Sequence, residues 1–253
     1  MVTKLDDTLK RYTSISVVID MLCRKELALL DPETWDDRND RYFMALYKEH
    51  TRAKGLYAAC FTQVAETYHH WRVFGGAADG ACVEFRRAAF EKYIAGDPDI
   101  RAGEVEYFYI KDAESITKGK PDRLPFMKRM GFEPEAEYRL IAKSGEEQAP
   151  ALALPIDLRL IRQVFINPWL PESIYKSLKS VMGEIEGAGH IKISRSGLID
   201  SQRWKNAGNS IVGKPKVGRP VLPVKKKKKK TAPKPKTRKK PARKHPKQRQ
   251  RQT

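Results

Sequence analysis

An α+β domain built on a mixed sheet, followed by a disordered basic tail, is the architecture this sequence predicts. Two observations carry that reading. Across residues 1–210, short apolar runs of strand length alternate irregularly with amphipathic stretches at helical spacing, a pattern that suits neither a bundle nor a regular parallel sheet. From residue 211 the composition changes: the last segment has 19 Lys and Arg, no Asp or Glu, no aromatic residue and 7 of the 16 prolines. Such a segment buries too little apolar surface to offset its ordering entropy. The expected organisation is therefore an α+β domain over 1–210 and a Lys/Arg/Pro-rich tail over 211–253.

The elements follow in order. Ser14 or Ser16 caps a helix whose inner face is Ile15, Val18, Ile19 and Leu22, and a short strand over 26–30 is closed by Asp31-Pro32. A polar turn over 35–40 leads into an aromatic-rich helix over 41–52, and 56–62 is a buried strand. Residues 64–74 read as a helix with Val64, Thr67, Trp71 and Phe74 inward, ended by Gly75-Gly76. A strand over 81–85, a helix over 87–95 and an aromatic strand over 105–110 come next, then a helical stretch over 125–130. Strands are expected over 135–142, within 158–166 and over 190–194. A helix from Pro171 has Ile174, Leu178, Val181, Met182 and Ile185 at helical spacing.

The whole chain has a formal net charge of +19, but residues 1–210 hold 31 basic against 31 acidic side chains. The body is formally neutral and the tail carries the imbalance. That makes the tail a device for a polyanion. Arg219, the run Lys225, Lys226, Lys227, Lys228, Lys229 and Lys230, and then Lys234, Lys236, Arg238, Lys239, Lys240, Arg243 and Lys244 would each displace counterions from a phosphate backbone. Nucleic acid, bound without sequence preference, is the expected partner. A solubilising appendage, a membrane anchor and a nuclear-localisation signal compete with it. No lipidation motif or amphipathic helix supports an anchor, and no stretch approaches about 18 consecutive apolar residues. The expected location is the cytoplasm, in association with the nucleoid. The tail is similar to those of histone H1, and Lys216-Val217-Gly218-Arg219-Pro220 resembles the core of an AT-hook, with Val217 where that motif has Arg.

Cys23, Cys60 and Cys82 are too scattered for a disulfide framework or zinc ribbon and read as buried free thiols. His69 and His70 are adjacent on a helix, so they point apart and cannot chelate together; no metal site is expected. Phosphate-loop, nucleophile-elbow and dinucleotide-fold glycine motifs are absent.

Three polar-aromatic clusters exceed what a plain core needs. They are residues 35–40 with Asn39-Asp40, residues 60–71 with Cys60-Phe61-Thr62 leading to Trp71, and Glu135-Ala136-Glu137-Tyr138-Arg139. With the Gly80-Ala81-Cys82-Val83-Glu84-Phe85 strand, these motifs resemble a widespread bacterial family of unknown function, over roughly residues 9–193. That family usually has Pro after its Asn-Asp, where this chain has Arg41. Its layout is similar to ADP-ribosyltransferases that modify nucleic acid. The resemblance implies NAD as cofactor, with Arg11 on its pyrophosphate and Tyr12 or Trp71 stacked on nicotinamide. It also implies Glu137 on the ribose, stabilising an oxocarbenium-like transition state, and Asn39 in the same catalytic set, in a defence or toxin protein. From the residues alone, Glu135, Glu137 and Arg139 alternate on a strand and read equally as a charged outer face. A non-enzymatic nucleic-acid-binding adaptor whose body holds a protein partner is the alternative.

Overall fold

Strands and helices alternate as expected in the computed structural model, which describes residues 7–76, 79–116 and 120–216. The chain divides into two units, Met1–Ser201 and Gln202–Thr253. Of the second, a helix spans Gln202–Ile211; of the tail read over 211–253, residues 217–253 lie outside the described residues.

The first unit opens with β1 (Thr8–Ser14), α1 (Ile15–Arg24) and β2 (Glu26–Leu30). Ser14 caps α1, its hydroxyl accepting from the Val17 N–H at 3.3 Å. Asp37 does the same for α2 (Arg38–Thr51), accepting from the Asn39 N–H at 2.9 Å. Then come β3 (Gly55–Thr62), α3 (Tyr68–Val73), β4 (Gly80–Arg86), α4 (Arg87–Ile94), β5 (Ile100–Glu104), β6 (Glu106–Phe108) and α5 (Ile110–Ala113). The expected helix at 125–130 is instead two 3-10 turns, Pro121–Phe126 and Met130–Glu135, flanking β7 (Met127–Arg129). Pro125 and Pro134 lack the N–H an α-helix needs. The unit closes with β8 (Glu137–Ser144), β9 (Ala151–Pro155), β10 (Ile161–Ile166), α6 (Glu172–Glu184) and β11 (Lys192–Arg195).

Among the described residues, nine strands make one mixed sheet in the order β11-β10-β4-β1-β3-β2-β9, with β8 also on β3 and β5 on β8. Only β10 and β11 run parallel within it, and α6 supplies the crossover that parallel pairing requires. The register around β3 creates the site. One edge of β3 is paired along its length with β8, from Gly55↔Ser144 to Thr62↔Glu137. On its other edge, β1 joins at Lys10↔Thr62 and β2 at Leu30↔Ala58. β1 and β2 thus diverge from β3 on either side of Cys60, and a cleft opens at the fork.

Below the sheet, α1 and α4 cover a core of Leu9, Leu22, Leu27, Phe61, Phe85, Phe90 and Leu140, all 3% exposed or less. A smaller cluster, Met44, Tyr47, Leu56, Ala58 and Ile141, lies under α2 on the opposite face of β3 and β8. Of the three thiols expected to be buried, Cys82 is buried, Cys60 is half-buried, and Cys23 departs furthest. It is exposed, because α1 turns Ile15, Val18, Met21 and Leu22 inward and leaves it outside.

Candidate active site

Side-chain alternation explains why charge is buried on β8. Tyr138, Leu140 and Ala142 enter the main core, so Glu137, Arg139 and Ile141 face the other way, toward α2. That second face is covered too. Glu137 is 4% exposed and Arg139 is fully buried, so the charged outer face is not what β8 presents.

Burial is sustained by saturation. Arg139 uses all five of its N–H donors. Nε and Nη2 reach the two Glu137 carboxylate oxygens at 2.7 and 2.9 Å. Nη1 and Nη2 reach the two Asp40 oxygens at 3.3 and 2.9 Å, and Nη1 also donates to the Pro125 carbonyl at 2.7 Å. The Trp35 ring lies 4.8 Å from its guanidinium carbon. Lys128 Nζ is 2.6 Å from Glu135, 3.1 Å from Glu137 and 3.5 Å from Asp40. Three carboxylates thus face two cations. Burial alone would raise the Glu137 carboxyl, but Arg139 and then Lys128 outweigh it and hold it at about 2. Burial leads in raising Glu135, against the pull of Lys128. The Cys60 thiol is pushed well up by burial and then by Glu137, so it is no nucleophile near neutrality.

The segment before β8 is held from two sides. The Glu135 carbonyl accepts from the Thr62 hydroxyl at 2.6 Å and lies 3.3 Å from His70 Nε2. Ala136 then takes a left-handed conformation (φ 43°) that L side chains disfavour. Glu137 follows, its own N–H donating to the Tyr107 hydroxyl at 2.8 Å.

The opposite wall comes from β1 and α3. Arg11 lies in the fork, 9% exposed, with Nη2 3.4 Å from the Ala28 carbonyl on β2 and Nη1 3.5 Å from the Cys60 carbonyl on β3. Its Nε has no partner, and no carboxylate pairs with it among the described residues. Burial lowers its pKa, yet a guanidinium stays charged. Beside it, Tyr12 stacks on His70 with ring centres 5.5 Å apart. His70 Nδ1 lies 2.6 Å from the Thr67 hydroxyl, and burial lowers its pKa, so the ring is neutral. Two glycines let the wall close: a Cβ on Gly80 would sit 1.5 Å from the Gly75 carbonyl oxygen, and one on Gly75 would sit 2.8 Å from Trp71.

A single cavity of about 710 Å³ joins these walls. Of the residues singled out in the sequence, Arg11, Tyr12 and Glu137 line it; Asn39 and Trp71 do not. Asn39 points outward and donates to Asp37 at 2.8 Å, while its neighbour Asp40 turns inward onto Arg139. Trp71 is fully buried behind the wall, edge-on to Tyr12 at 5.1 Å, with its indole N–H donating to Glu66. Asp40, Lys128, His70 and Arg139 are part of the site without having been singled out for it. Arg139, Asp40 and His70 lay within the clusters read from the sequence, whereas Lys128 belonged to none of them. Among the described residues no helix is long and apolar enough to cross a membrane, and no group of His, Cys, Asp and Glu could hold a metal ion.

No protein-family model matches the chain, and no curated protein matches it significantly. Among solved structures, it is similar to DarT of Thermus sp. 2.9 in complex with carba-NAD+, at 11% identity and a TM-score of 0.39 over 75% of this chain and 95% of that one. The same protein in complex with NAD+ matches at 10% and 0.39 (77% and 98% covered). In complex with ADP-ribosylated single-stranded DNA it matches at 11% and 0.40 (78% and 98%). At that identity and TM-score the likeness supports no statement about this chain.

Proposed function

We propose that residues 7–201 form an NAD-dependent transferase of the ADP-ribosyltransferase kind acting on nucleic acid, with residues 211–253 retaining that polyanion. One observation carries the reading. One cavity is lined both by a buried guanidinium with no carboxylate partner among the described residues, Arg11, and by a carboxylate that stays ionised at any physiological pH, Glu137. A buried cation without a counter-charge is costly; a ligand's anionic group would supply one.

The residues fit NAD in three respects. Arg11 offers charge to a pyrophosphate. The stacked Tyr12 and His70 rings give a flat wall for an aromatic ring. The cavity volume falls within the roughly 300–1,000 Å³ of ligand pockets. NAD, when bound, would supply a ribose whose bond to nicotinamide breaks with the electron pair leaving on nicotinamide, while a nitrogen or oxygen of the nucleic acid bonds to the freed sugar carbon and gives up its proton to water. Glu137 would accept a hydrogen bond from a ribose hydroxyl and oppose positive charge developing at the sugar carbon. Held at about 2, its carboxylate is a weak base, so its contribution is electrostatic and not proton transfer. Arg139, Asp40 and Lys128 position it. Such a reaction on nucleic acid fits a defence or toxin role.

The test is NAD binding by calorimetry and nicotinamide release on mixing NAD with the full chain and single-stranded DNA. Arg11→Met should weaken NAD binding by about tenfold or more. Its unfolding free energy should be unchanged or raised by about 1 kcal/mol, since a desolvated charge with only two long hydrogen bonds is removed. A stability loss above about 2 kcal/mol would show instead that Arg11 staples β2 to β3. Undetectable NAD binding by the unaltered chain would leave the adaptor reading. For the tail, deleting residues 211–253 should abolish retention on heparin at moderate salt; unchanged retention would remove its assigned role.

A further inference from the structure

A group of planar side chains stands on the surface at α3. Tyr68, 55% exposed, begins the helix, and Arg72 lies one turn on. The Arg72 guanidinium carbon is 4.1 Å from the centre of the Trp169 ring and 5.2 Å from that of Tyr68. Its Nε donates to the Tyr68 hydroxyl at 3.0 Å, and the two aromatic rings meet edge-on at 5.5 Å. Trp169 is half-buried and firmly held. The fully buried Asn167 accepts from the Trp169 N–H through its side chain at 2.9 Å, and Leu170 anchors the turn in the core. Val73 and Phe74, the next two residues of the chain, are exposed and line the cavity.

Scattered exposed apolar residues need no explanation, but a contiguous group marks a binding surface. The chemistry of this group selects the occupant. Its components are flat, its one charged member is a guanidinium spread over two rings, and no carboxylate pairs with Arg72 among the described residues. Bases have flat π-faces and phosphates are anionic, so one strand of nucleic acid satisfies both needs. A duplex hides those faces within its stack. We infer that Tyr68, Arg72 and Trp169 form a stacking platform for the bases of single-stranded nucleic acid, on the same short helix whose end lines the cavity. The platform is separate from the tail and does not depend on the catalytic reading.

The test uses the full chain without NAD, at about 0.3 M salt so that counterion release from the basic residues contributes less. Binding of a labelled oligothymidylate of about twelve nucleotides is followed by anisotropy and tryptophan quenching, beside a duplex of equal length. The single strand should bind more tightly. Tyr68→Ala and Trp169→Ala should each weaken it about tenfold, without changing duplex binding or the slope of affinity against salt. Trp169→Phe should hold within about threefold, since a ring is retained. Tyr68 is exposed, so its variant remains informative if Trp169→Ala fails to fold. Wild-type affinity in Tyr68→Ala, or duplex bound as tightly as single strand, would overturn the platform.

Discussion

Arg139→Leu is expected to remove roughly 3–5 kcal/mol of stability, the usual consequence of breaking a buried ion pair from one side. The leucine fills much of the space but leaves Glu137 and Asp40, both 4% exposed, with Lys128 as their remaining cation. Arg139→Lys should recover little, because a point charge cannot make the five-donor fork that spans both carboxylates and the Pro125 carbonyl. Urea unfolding measures both. A loss under about 1 kcal/mol in the lysine variant would show that charge suffices and the fork geometry does not matter. Acid unfolding provides a second reading of the same cluster. Glu137 titrates near 2 in the fold against an ordinary 4.5. Below pH 4.5 the unfolded chain takes up a proton that the folded chain refuses. The stability from this carboxylate is therefore complete above about 4.5 and lost as pH falls toward 2. Removing Arg139 should move acid unfolding to higher pH.

Glu137→Gln is expected to lower the rate of nicotinamide release by about 10²–10³-fold, the range for deleting one group that stabilises transition-state charge. The amide keeps the size of the carboxylate but not its charge. Since Arg11 lies on the other wall, NAD binding should change far less than the rate. Separating the two quantities excludes a merely structural effect, which would weaken binding and rate together. Some destabilisation will accompany the change, because one amide hydrogen must face Arg139 or Lys128. Activity is therefore compared at a temperature well below the melting point of the variant. A rate within about threefold of wild type would place the reacting charge elsewhere in the cavity.

The elements that were legible in the sequence share a local signal. The apolar face of α1, the run in β3 and the helical spacing of α6 each repeat within one segment. β1 and β5 carried no such signal. β1 reads Thr-Leu-Lys-Arg-Tyr-Thr-Ser and becomes a strand because β4 pairs with it from Thr8↔Arg86 to Ser14↔Gly80, more than sixty residues away. Strand propensity there is overridden by pairing. The helix read over 64–74 begins at Tyr68, since Thr67 caps it by accepting from the His70 N–H.

By itself, the sequence determined the α+β class, the separation of a neutral body from a segment holding the whole net charge, and the Glu137 and Arg139 pair on one strand face. Each is a matter of composition or of a period of two or 3.6, which neighbouring residues settle among themselves. Only the tertiary structure decided what that pair does. A second layer over β8 buried it, and the first turn of α2 brought in Asp40 and not Asn39. One residue along a helix is about 100° of rotation, and which side faces inward depends on what α2 packs against. Arg11 reached the cavity for a similar reason: β1 and β2 part from β3 around Cys60, and that fork exists only once strands distant in the chain have paired.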